Sequence, residues 1–150
     1  MMLNRFFRWA LVGLWIGIIF VAGCGKKGDP IPPRVQLPAA IADLGAASLA
    51  DGIVLRWSVP VPLERIGSFR ILRSDTEAAK ACPTCPQDHR MLVQLPVADS
   101  RLQRDGEKGI RYFDADVRPG RFYSYRVVVC DPRGNCGEAS NTAQGVHETR

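Results

Sequence analysis

The chain has 150 residues and a net charge of +5, with 20 Lys and Arg against 15 Asp and Glu. The basic residues are scattered along the chain, whereas nucleic-acid binders usually cluster them, so the sequence argues against a nucleic-acid partner. The length beyond the amino-terminal segments suffices for one domain of ordinary size, which can bury a core without a metal.

The amino terminus has the pattern of an export signal. Residues 1–9 contain Arg5 and Arg8 and no acid, and residues 10–22 carry no charge. This apolar run is shorter than the roughly 20 residues that span a bilayer as a helix, and the small residues Ala22 and Gly23 close it. Residues 1–23 therefore predict a cleaved signal peptide.

The small pair before Cys24 resembles the lipobox of bacterial lipoproteins. The resemblance implies cleavage before Cys24, a diacylglycerol on its thiol and an acyl chain such as palmitate on the new amino terminus. Neither Gly25 nor Lys26 is the aspartate that commonly marks inner-membrane retention. We therefore expect a lipid-anchored protein of the cell envelope at the periplasmic face of the outer membrane.

Residues 24–40 predict a flexible tether. They contain four prolines and no helical or strand periodicity, and proline favours extended polyproline geometry. Residues 24–28 also resemble a short attachment motif of small proteobacterial lipoproteins, one of which assists assembly of the lipopolysaccharide translocon. An accessory role in that assembly, through the acylated amino terminus, is therefore one alternative function.

Beyond residue 40 the sequence predicts an all-β domain. Short β-branched and apolar runs are separated by turn signals at the roughly 8–12-residue spacing typical of sandwiches. The clearest alternation runs from Arg121 to Cys130. The predicted core residues lie on the apolar faces of three such runs: Leu55, Trp57, Phe69, Ile71, Tyr123, Tyr125 and Val127.

Residues 38–146 resemble a fibronectin type III domain. The resemblance is carried by residues 42–44, by residues 55–57 with a following proline, by residues 69–71, and by residues 119–127. It implies a seven-stranded fibronectin type III-like (immunoglobulin-like) β-sandwich over residues 41–147, with Trp57 between the sheets and the Tyr123 hydroxyl bonded back to the backbone. A long insert after the third strand departs from the pattern and leaves that edge of the sheet undefined.

Four cysteines remain after Cys24, and in an oxidising compartment they predict two disulfides with three possible pairings. The fibronectin resemblance places the loops after the third and sixth strands at opposite ends, which implies the pairs Cys82–Cys85 and Cys130–Cys136. A Cys-x-x-Cys spacing also occurs in thiol-exchange sites, and with His89 it forms a partial zinc set. A periplasmic thiol-redox or metal-binding protein is therefore a second alternative.

The sequence offers no complete catalytic, metal or cofactor motif, so we expect a protein that is not an enzyme. Asp114 and Asp116 are interpreted as a solvated acidic turn, and residues 131–135 as a type I turn in preference to a calcium loop. The leading hypothesis is a non-catalytic lipoprotein that displays its sandwich to a protein partner.

The last strand is the predicted place of contact. Arg133 and the polar residues 138–144, which include Ser140 and Thr142, are expected to face solvent. An exposed edge of this kind offers unpaired backbone groups to which a partner strand can add. The alternative is an edge that its polar residues protect from pairing and that binds nothing.

Overall fold

The computed structural model describes residues 36–148 of the chain. The predicted signal peptide, Cys24 with its lipid anchor, and the tether up to residue 35 lie outside the described residues. Within residues 36–148, no helix is long and apolar enough to cross a membrane.

The described residues form nine β-strands and two short 3-10 helices, Leu63–Arg65 and Ala78–Lys80. The strands are β1 (Gly45–Leu49), β2 (Gly52–Ser58), β3 (Ser68–Glu77), β4 (Arg90–Pro96), β5 (Leu102–Asp105), β6 (Gly109–Asp114), β7 (Arg121–Cys130), β8 (Cys136–Ala139) and β9 (Ala143–His147).

Two antiparallel sheets pack face to face. One has the order β1-β2-β6-β5, and the other has the order β4-β3-β7-β8, with β9 also paired to β7. The predicted all-β, fibronectin type III-like sandwich is confirmed. The strand number is nine instead of seven because β5 pairs as an extra strand beside β6, and because the last predicted strand is broken into β8 and β9.

The core lies between the sheets and follows the period-2 alternation of the strands. All seven predicted core residues are at most 3% exposed. Trp57 packs edge-on against Phe69, with ring centroids 5.4 Å apart. The backbone N–H of Arg118 donates to the Tyr123 hydroxyl at 2.7 Å, which is the corner contact that the fibronectin resemblance implies.

The prediction of a solvent-facing last strand is wrong at Ser140, which is buried. Its hydroxyl accepts a hydrogen bond from the Val127 backbone N–H and donates to the Asn141 carbonyl, and its own N–H donates to the Val127 carbonyl. A small hydroxyl can be buried because every polar group finds a partner. The polar side chain of Ser140 therefore makes hydrogen bonds within the protein instead of facing solvent.

The edge formed by β8 is also covered by the chain itself. The Pro38 carbonyl approaches Gly137 so closely that a side chain there would collide with it. The Asn141 side chain bonds both the N–H and the carbonyl of Leu44, at 2.9 Å each. Strand addition at this edge would have to displace these contacts, so another surface has to be considered for a partner.

Candidate interaction site

Both predicted disulfides, Cys82–Cys85 and Cys130–Cys136, are present. The second closes the turn from β7 to β8. In that turn the Gly134 N–H donates to the Asp131 carbonyl at 3.0 Å, and the Asp131 carboxylate accepts three hydrogen bonds from Arg133 and Asn135. This is the predicted turn, and its carboxylate is committed to backbone and amide donors.

The insert between β3 and β4 lies across the outer face of its own sheet. That face carries three polar residues side by side on neighbouring strands, which we call the polar row: Ser74 on β3, Ser124 on β7 and Gln144 on β9. Ser124 is fully buried although it points away from the core. The insert therefore shields the polar row from solvent.

Each member of the polar row makes one hydrogen bond to the insert. The three bonds are from Ser74 Oγ to Gln87 Oε1 (3.2 Å), between Ser124 Oγ and His89 Nε2 (2.9 Å), and from Gln144 Nε2 to the Pro83 carbonyl (2.9 Å). Three bonds from three strands fix both the position and the orientation of the insert on the sheet.

Residues 82–87 form a short rigid unit that we call the stapled loop. Its disulfide joins Cys82 to Cys85, and Gln87 Nε2 donates to the carbonyls of both cysteines, at 2.9 and 3.1 Å. Pro83 and Pro86 fix two further backbone φ angles. Residues 83–86 are exposed. The loop thus presents a solvent-facing tip that has little conformational entropy left to lose on binding.

His89 and Ser124 form a hydrogen-bonded pair with the geometry of a base and a nucleophile. The Gln87 carbonyl lies 3.1 Å from His89 Nδ1 and can only accept, so Nδ1 carries the proton and Nε2 accepts from the Ser124 hydroxyl. Ser124 is 0% exposed, however, and no substrate can reach its oxygen. The pair holds the insert in place.

The attachment of the insert is expected to weaken in acid. Burial, reinforced by the nearby charge of Arg126, lowers the pKa of His89 below its usual 6.5. The folded chain therefore binds fewer protons at this site than the unfolded chain, so stability falls as the pH drops below about 6.5. Urea melts should show a lower free energy of unfolding at about pH 5.5 than at pH 7. In the His89→Gln variant this difference between the two pH values should be smaller. An equal loss in both proteins would exclude His89 as its source.

The stapled loop lacks the features that activate a thiol. Cys82 follows the 3-10 helix Ala78–Lys80, whereas a cysteine with a depressed pKa usually precedes a helix. His89 bonds Ser124 and does not join the cysteines as a ligand. Across residues 36–148, no three His, Cys, Asp or Glu side chains come together in a way that would hold a metal ion.

Asp114 corrects the interpretation of the acidic turn. It is 2% exposed, whereas the side chain of Asp116 is 83% exposed as expected. Asp114 Oδ2 accepts from Arg73 at 2.9 Å and from the Tyr125 hydroxyl at 2.9 Å, and Oδ1 accepts from the Asp116 backbone N–H at 3.1 Å. The carboxylate is therefore a fully bonded component of the core.

The Asp114 carboxylate raises the pKa of both of its side-chain donors, Arg73 and Tyr125. Burial alone would lower the pKa of Arg73, but the hydrogen bond and the charge of Asp114 outweigh burial and raise it. Burial also raises the pKa of Tyr125, and the adjacent Asp114 carboxylate raises it further. Tyr125 consequently stays protonated and remains a donor to Asp114.

The stapled loop and the disulfide turn after β7 lie at opposite ends of the sandwich. Ser68 at the start of β3 pairs with Cys130, and the insert follows Glu77 at the other end of this ten-residue strand. The stapled loop folds back from Glu77 and is bonded at Ser74, six positions from Ser68, which at about 3.3 Å per residue is roughly 20 Å along the strand. The described chain enters beside the disulfide turn, since Pro38 contacts Gly137. The stapled loop is therefore distal to the entry point.

Comparison with known proteins adds support for the fold alone. No protein-family model and no curated protein matches the chain. Among solved structures, Astrotactin-2, a vertebrate-specific membrane protein, is similar with a TM-score of 0.55 and 12% identity, over 83% of this chain and 24% of that one. At that identity the likeness supports the fold and carries nothing about activity.

Two further solved structures are similar at lower scores. Pectate lyase PelI from Erwinia chrysanthemi has a TM-score of 0.49 and 20% identity, over 71% of this chain and 28% of that one. The solution structure of a human fibronectin type III domain, the fourth such domain of its protein, has a TM-score of 0.47 and 10% identity, over 86% of this chain and 93% of that domain. The chain thus spans about a quarter of Astrotactin-2 and PelI.

Proposed function

We propose that this chain is a non-catalytic, lipid-anchored lipoprotein of the cell envelope, whose fibronectin type III-like domain contacts a protein partner through the stapled loop. The observation that carries the proposal is the rigidity of this loop. A disulfide, two prolines and the Gln87 amide hold the tip in one shape, and the polar row fixes it to the sheet. Recognition by a rigid exposed loop avoids most of the entropy cost of ordering.

The position of the loop agrees with a tethered protein. The described chain enters the domain at Pro38, beside the disulfide turn, and the polar row that holds the loop lies roughly 20 Å away along β3, from Ser68 to Ser74. A tether that joins the domain at this entry point would leave the stapled loop accessible to a partner. The lipobox resemblance supports the anchor, and with it a location at the periplasmic face of the outer membrane.

Site-specific photo-crosslinking in intact cells tests the contact. A photoreactive residue at Thr84, at the exposed tip, is expected to give a discrete crosslinked protein. The same residue at Glu138, which is exposed on β8 at the other end of the sandwich, is the matched control. If Thr84 gives no discrete product, or if both positions give the same product, the stapled loop is not the contact.

Mass spectrometry of the protein isolated for crosslinking tests the anchor. The mature amino-terminal peptide is expected to begin at Cys24 and to carry three acyl chains. An unmodified Cys24, or a retained leader, would refute the anchor while leaving the crosslinking result at Thr84 to be judged on its own.

A further inference from the structure

The outer face of the β1-β2-β6 sheet differs from what a solvated sheet face usually carries. Antiparallel sheets with one face in water alternate apolar and polar residues, and the outer positions are normally polar. Here the outer positions of three neighbouring strands form one apolar row and one basic row. We call this surface the bare face: Ala47, Leu49, Val54, Phe113, Arg56 and Arg111.

The apolar row is continuous across the three strands. Ala47 lies opposite Val54, and Val54 lies opposite Phe113. Val54 itself is only 7% exposed, so the exposed apolar surface comes from Ala47, Leu49 and Phe113. The Phe113 ring lies against Gly52, where any side chain would collide with it, and Leu49 pairs with Gly52 on the other side. Phe113 is 41% exposed and Leu49 is 50% exposed. Because Gly52 has no side chain, the Phe113 ring packs directly against the backbone of β2.

The basic row directly adjoins the apolar row. Arg56 and Arg111 face each other on β2 and β6, an arrangement of like charges that is unfavourable in a free sheet. They share one carboxylate, Asp105, at 3.7 and 4.0 Å, which is long for an ion pair. Two cations therefore meet a single partly exposed acid, and the row retains a positive charge.

We propose that the bare face docks onto the anionic headgroup layer of a lipid bilayer. Phe113 and Leu49 would enter the interfacial layer, and Arg56 and Arg111 would meet lipid phosphates that supply the missing negative charge. A second copy of the chain is a poor occupant, because face-to-face packing would bring two basic rows together. The inference rests on the proposed function only in that the anchor at Cys24 keeps the domain near a bilayer.

The expected strength is modest and depends on salt. A basic residue near an anionic surface changes binding about fivefold, so two arginines and a small apolar row give a reversible contact. The contact should weaken as ionic strength rises, because surface charges are screened beyond a Debye length. A domain of this kind would alternate between lying on the bilayer and extending from it.

Hydroxyl-radical footprinting of the full chain reconstituted in vesicles tests the docking. In vesicles that contain phosphatidylglycerol, oxidation of Phe113 and Leu49 is expected to be slower than in vesicles of phosphatidylcholine alone, and high salt should remove the difference. Met91, which is 61% exposed on β4 of the other sheet, is the internal reference and should react equally in both.

Charge variants decide whether the basic row is responsible. Arg56→Gln should lower the docked-to-free ratio about fivefold in phosphatidylglycerol vesicles. Arg70→Gln, on the outer face of the other sheet, should leave the ratio unchanged. Equal oxidation of Phe113 in both kinds of vesicle would overturn the proposal. Protection that appears without vesicles as protein concentration rises would assign the bare face to a second copy and overturn it equally.

These outcomes are separable from those of the proposed function. Thr84 lies on the insert, over the outer face of the other sheet, so loss of its crosslink leaves the footprint of Phe113 unaffected. An unmodified Cys24 would remove the anchor, yet the reconstituted chain would still report whether the bare face prefers anionic lipid.

Discussion

Replacing Asp114 with alanine is expected to lower the free energy of unfolding by about 3–5 kcal/mol, the range for removing one partner of a buried ion pair. The effect is large because two donors, Arg73 and Tyr125, lose the carboxylate that accepts their hydrogen bonds. Arg73, whose side chain is 17% exposed, would lose its buried carboxylate partner and keep only the exposed carboxylate of Asp116, at 3.2 Å. The Tyr125 hydroxyl would also lose its acceptor at 2.9 Å.

Two matched variants separate the buried charge from the surrounding contacts. Asp116→Ala removes a carboxylate from the same arginine, but that side chain is 83% exposed, so a cost below about 1 kcal/mol is expected. Tyr125→Phe removes one hydrogen bond to a charged group and should cost about 1.5–3 kcal/mol. Urea melts of the three variants give the ranking. If Asp114→Ala and Asp116→Ala cost the same, Asp114 is solvated and the buried ion pair is not present in solution.

The core could be predicted from the sequence because inward-facing apolar residues alternate with outward-facing residues along each strand. The same alternation also places the Arg73–Asp114 ion pair at inward positions. Arg73 continues the inward series of Phe69 and Ile71 on β3, and Asp114 continues the inward series on β6. The charge of Asp114 favoured the solvent-facing interpretation, since charged residues are seldom fully buried. Extending the period to the strand ends would have placed both residues inside, facing one another.

The insert could not be predicted in the same way, because its position depends on pairing between distant strands. Ser74, Ser124 and Gln144 form a row only when β3, β7 and β9 are in register, and each residue alone is typical of a solvated strand face. The burial of Ser140 could not be predicted for the same reason, since it depends on hydrogen bonds to Val127 on another strand. Local polarity cannot distinguish a residue that faces water from one that faces another part of the chain.

Replacing Trp57 with alanine is expected to cost about 3–5 kcal/mol, the range for removing a large buried aromatic side chain. Trp57 is 3% exposed and packs edge-on against Phe69, with 5.4 Å between ring centroids, in the centre of the space between the sheets. The loss is a large share of the roughly 5–15 kcal/mol by which a domain of this size is usually stable. The variant is therefore expected to unfold at a much lower urea concentration than the wild-type protein.

Trp57→Phe is the informative companion, because the indole N–H of Trp57 finds no acceptor among the described residues. A buried donor without a partner costs roughly 1–3 kcal/mol, so phenylalanine removes that cost while it keeps an aromatic ring against Phe69. Urea melts should therefore show a much smaller loss for Trp57→Phe than for Trp57→Ala. A loss below about 1 kcal/mol for the alanine variant would be typical of surface positions and would place Trp57 on a binding surface instead of in the core.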